Sequence, residues 1–299
     1  MKILVTGSTG LVGSALIPHL AGGGHNVRRL VRSKKSLAKD EVGWDPAAGT
    51  IDAAGLEGLD AVVHLAGENI AAGRWTSEKK ARIRDSRVKG TRLLAETLSR
   101  LAKPPKVLVS VSAIGYYGDR GKEILVEESG PGTGFLAEVC RAWEAAAEPA
   151  VRSGIRVVHP RIGVVLSRDG GALKMMLLPF KMGIGGKIGT GEQYMSWISL
   201  DELIGVIQHV LTVETLAGAV NAVAPRPVTN LEFTKSLGRV LSRPTMMPLP
   251  AFAAKLALGE MAEELLLASA RVEPARLLAS GYKFRHPELE AALRHVLSK

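Results

Sequence analysis

Val5-Thr6-Gly7-Ser8-Thr9-Gly10-Leu11-Val12-Gly13 is the stretch on which the reading of this chain turns. It follows the short apolar run Lys2 to Thr6, which has the composition of a buried strand, and it opens a helical stretch over residues 10–22. Glycines spaced GxxGxxG at a strand-to-helix junction have a physical job. They let the chain turn sharply and bring backbone N–H groups close to a diphosphate, while the helix N-terminus offers its partial positive charge to the same anion. A glycine triplet alone is a weak signal, because it also describes a plain tight turn. Strand, triplet, helix and a second strand in that order make it specific. Gly7, Thr9, Gly10, Leu11, Val12 and Gly13 are therefore candidate cofactor-binding residues.

Working outward, short β-branched runs alternate with longer helical stretches, the pattern of βαβ units and a parallel sheet. The expected strands are Lys2 to Thr6, Asn26 to Val31, Ala61 to Leu65, Val107 to Val111 and Ile155 to His159, with helices over about 10–22, 76–102 and 134–153. This predicts an α/β, Rossmann-type doubly wound parallel sheet over residues 1–165, completed by part of 195–225. Residues 166–299 then form a smaller, mostly helical substrate or cap region, with a C-terminal helical domain from about 245. Beyond Arg161, Gly170-Gly171 and then Gly183, Gly185, Gly186, Gly189 and Gly191 read as a functional loop or lid. Thr229 with Glu232 is a capping-box signal, and Pro244, Pro248 and Pro250 mark a break among the later helices.

A dinucleotide site that takes NAD usually carries an Asp or Glu about 20 residues past the glycines, where it holds the adenosine ribose 2′-hydroxyl. This chain has no acidic residue before Asp40, and Arg28, Arg29, Arg32, Lys34 and Lys35 stand in and after the second strand. A 2′-phosphate is a compact dianion that a guanidinium holds and a carboxylate repels. NADP(H) is the expected cofactor and Arg32 the leading contact, against the alternative of an exposed basic turn.

Bulk properties narrow the class. The chain has 299 residues, 46% hydrophobic and 23% charged, a globular composition, and no apolar run reaches the roughly 20 residues of a membrane-spanning helix. Its net charge of +10 is spread along the chain, so solvated surface is a better account of it than nucleic acid. Met1-Lys2 leads directly into the first strand and leaves no room for a signal peptide, which points to a cytoplasmic protein. Cys140 is the single cysteine; it excludes an internal disulfide and reads as a buried apolar residue. No metal, no nucleic acid and no membrane are expected as partners; a small-molecule substrate is expected, and a homodimer would be unsurprising.

Several further stretches carry a resemblance. They are His64-Leu65-Ala66-Gly67-Glu68-Asn69, Val88-Lys89-Gly90-Thr91, Ser112-Ala113-Ile114-Gly115-Tyr116-Tyr117-Gly118, Phe135-Leu136-Ala137-Glu138 with Trp143-Glu144, and Pro160 to Leu166. Pro179-Phe180, Ser196-Trp197-Ile198, Asp201, Gly259-Glu260-Met261 and Gly281-Tyr282 continue it nearly to the end. With the glycine turn, they resemble the extended short-chain dehydrogenase/reductases, and more closely their atypical, epimerase-like branch with its small C-terminal domain. The resemblance implies that Leu65, Ala66 and Gly67 line the adenosine and ribose side of the cofactor, that Arg161 ends a strand near the nicotinamide, and that Ser112 faces the substrate. Each lies at the C-terminal edge of an expected strand, where open α/β sheets bind ligands. Core strand ends for Leu65 and Ala66, and a backbone-bonded hydroxyl for Ser112, are the structural alternatives.

The chain departs from that pattern at two places. Typical members carry a Tyr and a Lys four residues apart on the helix after the serine; here the corresponding positions are Leu136 and Cys140, or Phe135 and Val139 in a register one residue earlier. None of these moves a proton at neutral pH. Arg87 stands where relatives usually show Asn, within reach of the cofactor phosphates or ribose. Tyr116 or Tyr117 is the candidate replacement acid/base, with Glu68 a weaker one. Tyr194 and Trp197 are candidates for closing the substrate pocket, with core packing as the alternative, and His64 reads as a packed strand residue. The resulting expectation is an NADP(H)-dependent oxidoreductase or epimerase-like protein, with a catalytically silent NADP(H) sensor as the rival reading.

Overall fold

The computed structural model describes residues 1–32 and 37–298. Its centre is one sheet in which the strand Gly218–Ala222, the strand Arg156–Ile162, β6 (Val107–Ser110), β5 (Ala61–His64), β1 (Lys2–Thr6), β2 (Asn26–Arg32), β3 (Glu41–Asp45) and β4 (Thr50–Ile51) lie side by side. All neighbours are parallel except β3 and β4. Chain order reverses between β1 and β5, so the sheet has a topological switch point beside the first strand.

Alternation within β1 explains the layering. Ile3 and Val5 point into a core shared with Leu16 and Leu20 of α1 (Leu11–Gly22) and with Leu203, Ile204 and Ile207 of α6 (Leu200–Thr212). Leu4 points the other way, into a core with Leu30, Val62, Leu108 and the Leu94 and Leu98 side chains of α2 (Ser77–Ser99). Both faces are covered, and the ligand edge is left at the C-terminal ends of the strands. The expected Rossmann-type α/β fold is the fold observed.

Four boundaries differ from the sequence reading for local reasons. The stretch 134–153 is two helices, α3 (Phe135–Ala145) and α4 (Glu148–Arg152), because Pro149 has no N–H to carry one helix across. After β6 the chain skips Val111 and resumes as β7 (Ser112–Ala113), which pairs with Arg161 and Ile162. Residues 170–191 are not a free lid. Gly171–Lys181 is a helix, α5, and the loop beyond it is tied to residues 247–249 by Met247 N–H to Gly185 O at 3.4 Å, Leu249 N–H to Lys187 O at 2.8 Å and Gly189 N–H to Leu249 O at 2.9 Å. The strands Glu41–Asp45 and Thr50–Ile51 lie outside the expected strands, and Gly218–Ala222 is the strand with which part of 195–225 joins the sheet.

The C-terminal region packs around Leu173, Phe180, Trp197, Phe233, Leu237 and Leu293. Thr229 and Glu232 form the expected capping box at the start of α7 (Asn230–Leu241), and residues 242–250, which hold the three prolines, separate it from α8 (Ala251–Leu258). Among the described residues no helix is long and apolar enough to cross a membrane.

Candidate cofactor and active site

The glycine turn sits at the switch point, pressed between α1 and the segment that leaves β5. Gly7 has φ of +65°, and a Cβ there would lie 2.8 Å from the Leu65 carbonyl carbon; a Cβ on Gly13 would lie 2.3 Å from the Gly7 oxygen. Only glycine permits either approach. Gly10 is the N-cap residue of α1, no side chain caps the helix, and its first turn holds no acidic residue. The leading amides of α1 therefore have no side-chain partner and face no nearby negative charge, which is the donor set a diphosphate requires. Thr9 and Gly10 are exposed, Leu11 is half-buried and packs against Gly170, and Val12 leans into the α1 core.

Beneath the turn lies a buried polar chain that the sequence did not suggest. The Thr6 hydroxyl accepts from the N–H groups of Leu65 and Ala66, each at 3.0 Å, and meets His64 Nδ1 at 2.8 Å. With both lone pairs occupied, Thr6 donates to an unprotonated Nδ1. His64 Nε2 then donates to Thr91 Oγ1 at 3.0 Å, which also accepts from Trp143 Nε1 at 2.9 Å. Full burial pushes the His64 pKa down to about 4, so the ring is neutral and serves as a strut.

The basic cluster on β2 separates into different roles. Arg28 donates to Gly55 O at 2.9 Å, and Arg29 is paired with Asp40 at 3.0 Å and Glu41 at 3.5 Å. Arg32 ends the strand, two residues past the partner of Thr6, its backbone in register with Trp44 and its exposed side chain with no hydrogen-bond or ion-pair partner among the described residues. It stands at the strand end beside the glycine turn. Lys34 and Lys35 lie outside the described residues.

On the other side of the switch point, Leu65, Ala66 and Gly67 run along the sheet edge, Leu65 and Ala66 touching the two cores and Gly67 lying over Arg87. The Arg87 Nη1 donates to the Glu68 and Ile83 carbonyls, both at 3.1 Å, and the guanidinium stacks 5.0 Å from the Trp143 ring. Glu68 itself is engaged by buried Lys79 at 2.7 Å, which holds its carboxyl below the usual carboxylate range and makes it a poor proton acceptor near neutrality.

Ser112 and Arg161 meet on Glu144. The Ser112 hydroxyl donates to Glu144 Oε1 at 2.7 Å, while Arg161 grips the same carboxylate through Nε and Nη2, each at 2.9 Å. Arg161 also donates to the Tyr117 hydroxyl at 2.9 Å, and Tyr117 donates to Asn221 Oδ1 at 2.8 Å. Tyr117 is fully buried and its pKa is raised by burial, so its hydroxyl belongs to this internal network and opens on no cleft. Tyr116 differs: half-buried, its ring lies 3.4 Å from the Arg161 guanidinium, and its hydroxyl has no partner among the described residues. Leu136 and Cys140 are buried on α3, with the thiol pushed up to about 11 by burial; neither exchanges protons at neutral pH.

Glu144 and Glu264 are the residues the sequence reading passed over. Glu264 reaches from the C-terminal region to accept from the N–H groups of Phe135 at 3.0 Å and Leu136 at 3.2 Å, capping α3 in the way a carboxylate caps any helix start. Gly134, at φ of +101°, leaves room for it. Trp197 is a core residue, 1% exposed, with Nε1 on Arg226 O, and does not close a pocket; Tyr194 is half-buried against Arg271.

Comparison with known proteins agrees with this construction. Residues 3–221 match the NAD dependent epimerase/dehydratase family, and residues 249–296 match a domain of unknown function, DUF1731. The chain is 41% identical over 297 residues to an epimerase family protein of Mycobacterium bovis, covering 99% of this chain and 98% of that one. It is 39% identical over 302 residues to the human epimerase family protein SDR39U1, covering both chains fully. The crystal structure of the human protein (isoform 2) with NADPH superposes with a TM-score of 0.91 at 37% identity, covering 100% of this chain and 99% of that one. A nucleoside-diphosphate sugar epimerase from Corynebacterium glutamicum gives 0.83 at 40% identity, covering 99% of this chain and 58% of that one. The glycine turn, the strand-edge residues and the C-terminal helices thus belong to a chain that is a member of the NAD dependent epimerase/dehydratase family, in its atypical, epimerase-like branch.

Proposed function

We propose that this protein binds NADP(H) and performs oxidoreductase or epimerase-type chemistry on a small substrate. The observation that carries the reading is the pairing of an uncapped, glycine-lined helix start with one unpartnered arginine, Arg32, at the end of β2. In this reading Gly7 to Gly13 hold the diphosphate and Arg32 the 2′-phosphate. Leu65, Ala66 and Gly67 line the sugar, and Arg87 and Arg161 set the charge beyond it. The bound cofactor supplies hydride transfer. Residues 1–165 with α6 and the strand Gly218–Ala222 form the cofactor domain, and the rest of 166–299 forms the cap. A cytoplasmic location is supported by a single, buried, thiol-form cysteine.

Tyr116 is the acid/base of this reading because its hydroxyl has no partner among the described residues and its ring is held in place against the Arg161 guanidinium, 3.4 Å away. Ser112, its own proton held by Glu144, keeps lone pairs to accept from a substrate hydroxyl and orient it. Tyr117 is a post that fixes Arg161. NADPH titration by cofactor fluorescence tests the binding reading. Arg32→Ala is expected to weaken NADPH about tenfold or more while sparing NADH, since a charge-assisted phosphate contact contributes about 1.5–3 kcal/mol. Equal losses for the two cofactors refute it.

The rival reading, an NADP(H) sensor, is favoured by the buried Leu136 and Cys140 where relatives carry Tyr and Lys. Bound NADPH monitored across a panel of carbonyl and sugar-nucleotide compounds separates the two. Oxidation that Tyr116→Phe abolishes supports the enzyme, and tight binding without turnover supports the sensor.

A further inference from the structure

We propose that Arg87 makes this site selective for the reduced cofactor, standing as an uncompensated cation on the nicotinamide side and disfavouring the positively charged oxidised ring. The inference rests on the NADP(H) reading above. A dinucleotide whose adenosine end lies by β2 must cross the switch point and extend along β5 and β6. Arg87 occupies that side. A Cβ on Gly67 would lie 3.2 Å from its guanidinium carbon, and the guanidinium packs on Trp143 of α3, the helix that also carries Cys140 and Glu144. Cys140 in turn neighbours Ser112, which in the reading above faces the substrate from the strand end paired with Arg161.

The surrounding charges do not cancel it. Arg161, the arginine nearest the Ser112 end of this strip, is neutralised by the bidentate Glu144. Arg87 has no carboxylate within ion-pair distance among the described residues. The nearest acid, Glu68, offers it only a main-chain carbonyl, because the Glu68 carboxylate is bound by Lys79 at 2.7 Å with Arg82 at 3.9 Å. Lys79, Arg82 and Arg87 against Glu68 leave the strip net positive. Burial of the Arg87 side chain disfavours its charged form, and the Glu68 charge offsets this only in part. Its Nε and Nη2 donors have no partner among the described residues and suit neutral oxygens such as ribose hydroxyls.

The reduced nicotinamide is neutral and the oxidised one carries a single positive charge, while the two forms share the same phosphates. The ratio of their affinities therefore isolates the ring. At an effective dielectric near 20, a fixed unit charge within about 10 Å of the ring disfavours its cationic form by about tenfold or more.

Calorimetric titration of the full-length protein with NADPH and with NADP⁺ tests this. The wild type is expected to bind NADPH at least about tenfold more tightly, Arg87→Gln to bring the ratio near one mainly by tightening NADP⁺, and Arg87→Lys to keep part of the preference. Glu68→Gln, which removes the nearest negative charge, is expected to move the ratio the opposite way and serves should Arg87→Gln fail to fold. A brace that merely supports Gly67 and Glu68 would weaken both cofactors equally, so an unchanged ratio in Arg87→Gln, or no preference in the wild type, overturns the inference. Failure of the wild type to bind either form overturns the NADP(H) reading itself.

Discussion

Lowering the pH should destabilise this protein through His64 and loosen the cofactor segment with it. The ring bridges Thr6 and Thr91 in its neutral form, and a proton on Nδ1 would confront a Thr6 hydroxyl whose lone pairs are taken by Leu65 and Ala66. Burial holds the folded pKa at about 4 against the ordinary 6.5. Between these values the unfolded chain binds the proton and the folded chain does not, so stability rises with pH across the window. The contribution is complete above 6.5, is lost as pH falls toward 4, and amounts to about 3 kcal/mol in all, of which about 2 kcal/mol disappears between pH 7 and 4.5. Urea denaturation of the wild type and of His64→Gln at those two pH values measures it. The variant is less stable at pH 7, and its loss on acidification should be about 2 kcal/mol smaller. His159, also buried and also held below its ordinary range, contributes in the same direction to both proteins and cancels in the difference. Parallel pH dependences would refute the assignment of His64 as a neutral strut. A wild-type affinity for NADPH that did not weaken over the same window would refute its link to the turn.

Two further outcomes follow from the geometry. Gly13→Ala places a methyl 2.3 Å from the Gly7 oxygen, backbone against backbone, and should reduce NADPH affinity by about a hundredfold, whereas Gly10→Ala, whose Cβ would lie 3.3 Å from the same oxygen, should perturb binding far less in the same titration. Tyr117→Phe removes the hydroxyl that accepts from Arg161 and donates to Asn221, and should cost about 1–3 kcal/mol in thermal or urea unfolding; a stability loss below a few tenths would show that the buried network does not depend on it.

Much of the cofactor half could be read from the chain because its signals are local. A strand, a glycine turn and a helix are contiguous, and their spacing alone implies where the amides point. The basic cluster that ends β2 is local in the same way, but nothing in the sequence shows which of Arg28, Arg29 and Arg32 is left without a side-chain partner. That distinction depends on Gly55 and Asp40, which only the packed sheet brings alongside. That part of 195–225 completes the sheet is legible, but the strand itself, Gly218–Ala222, is not, because Gly, Ala and Asn have poor strand propensity and are held in the sheet by pairing with Val158 to Ile162. The glycine-rich segment misled for the opposite reason. Glycines 185 and 186 serve close packing against Phe180 and the Met247 carbonyl, not mobility.

The acid/base region was the least legible, since its logic is assembled from four separated stretches. Glu144 enters the sequence reading only as part of a stretch that carries the resemblance; in three dimensions it accepts from Ser112, 32 positions away, and from Arg161, 17 positions away. Arg161 is fixed by that carboxylate and by Tyr117, and its guanidinium lies 3.4 Å from the Tyr116 ring. Adjacent tyrosines therefore diverge: Tyr117 reaches Asn221, and the hydroxyl of Tyr116, stacked on the guanidinium, has no partner among the described residues. Two neighbouring residues of the same type cannot be ranked by composition or motif. They are separated here by which side of a short 3₁₀ turn, Ile114–Tyr117, each presents to the sheet.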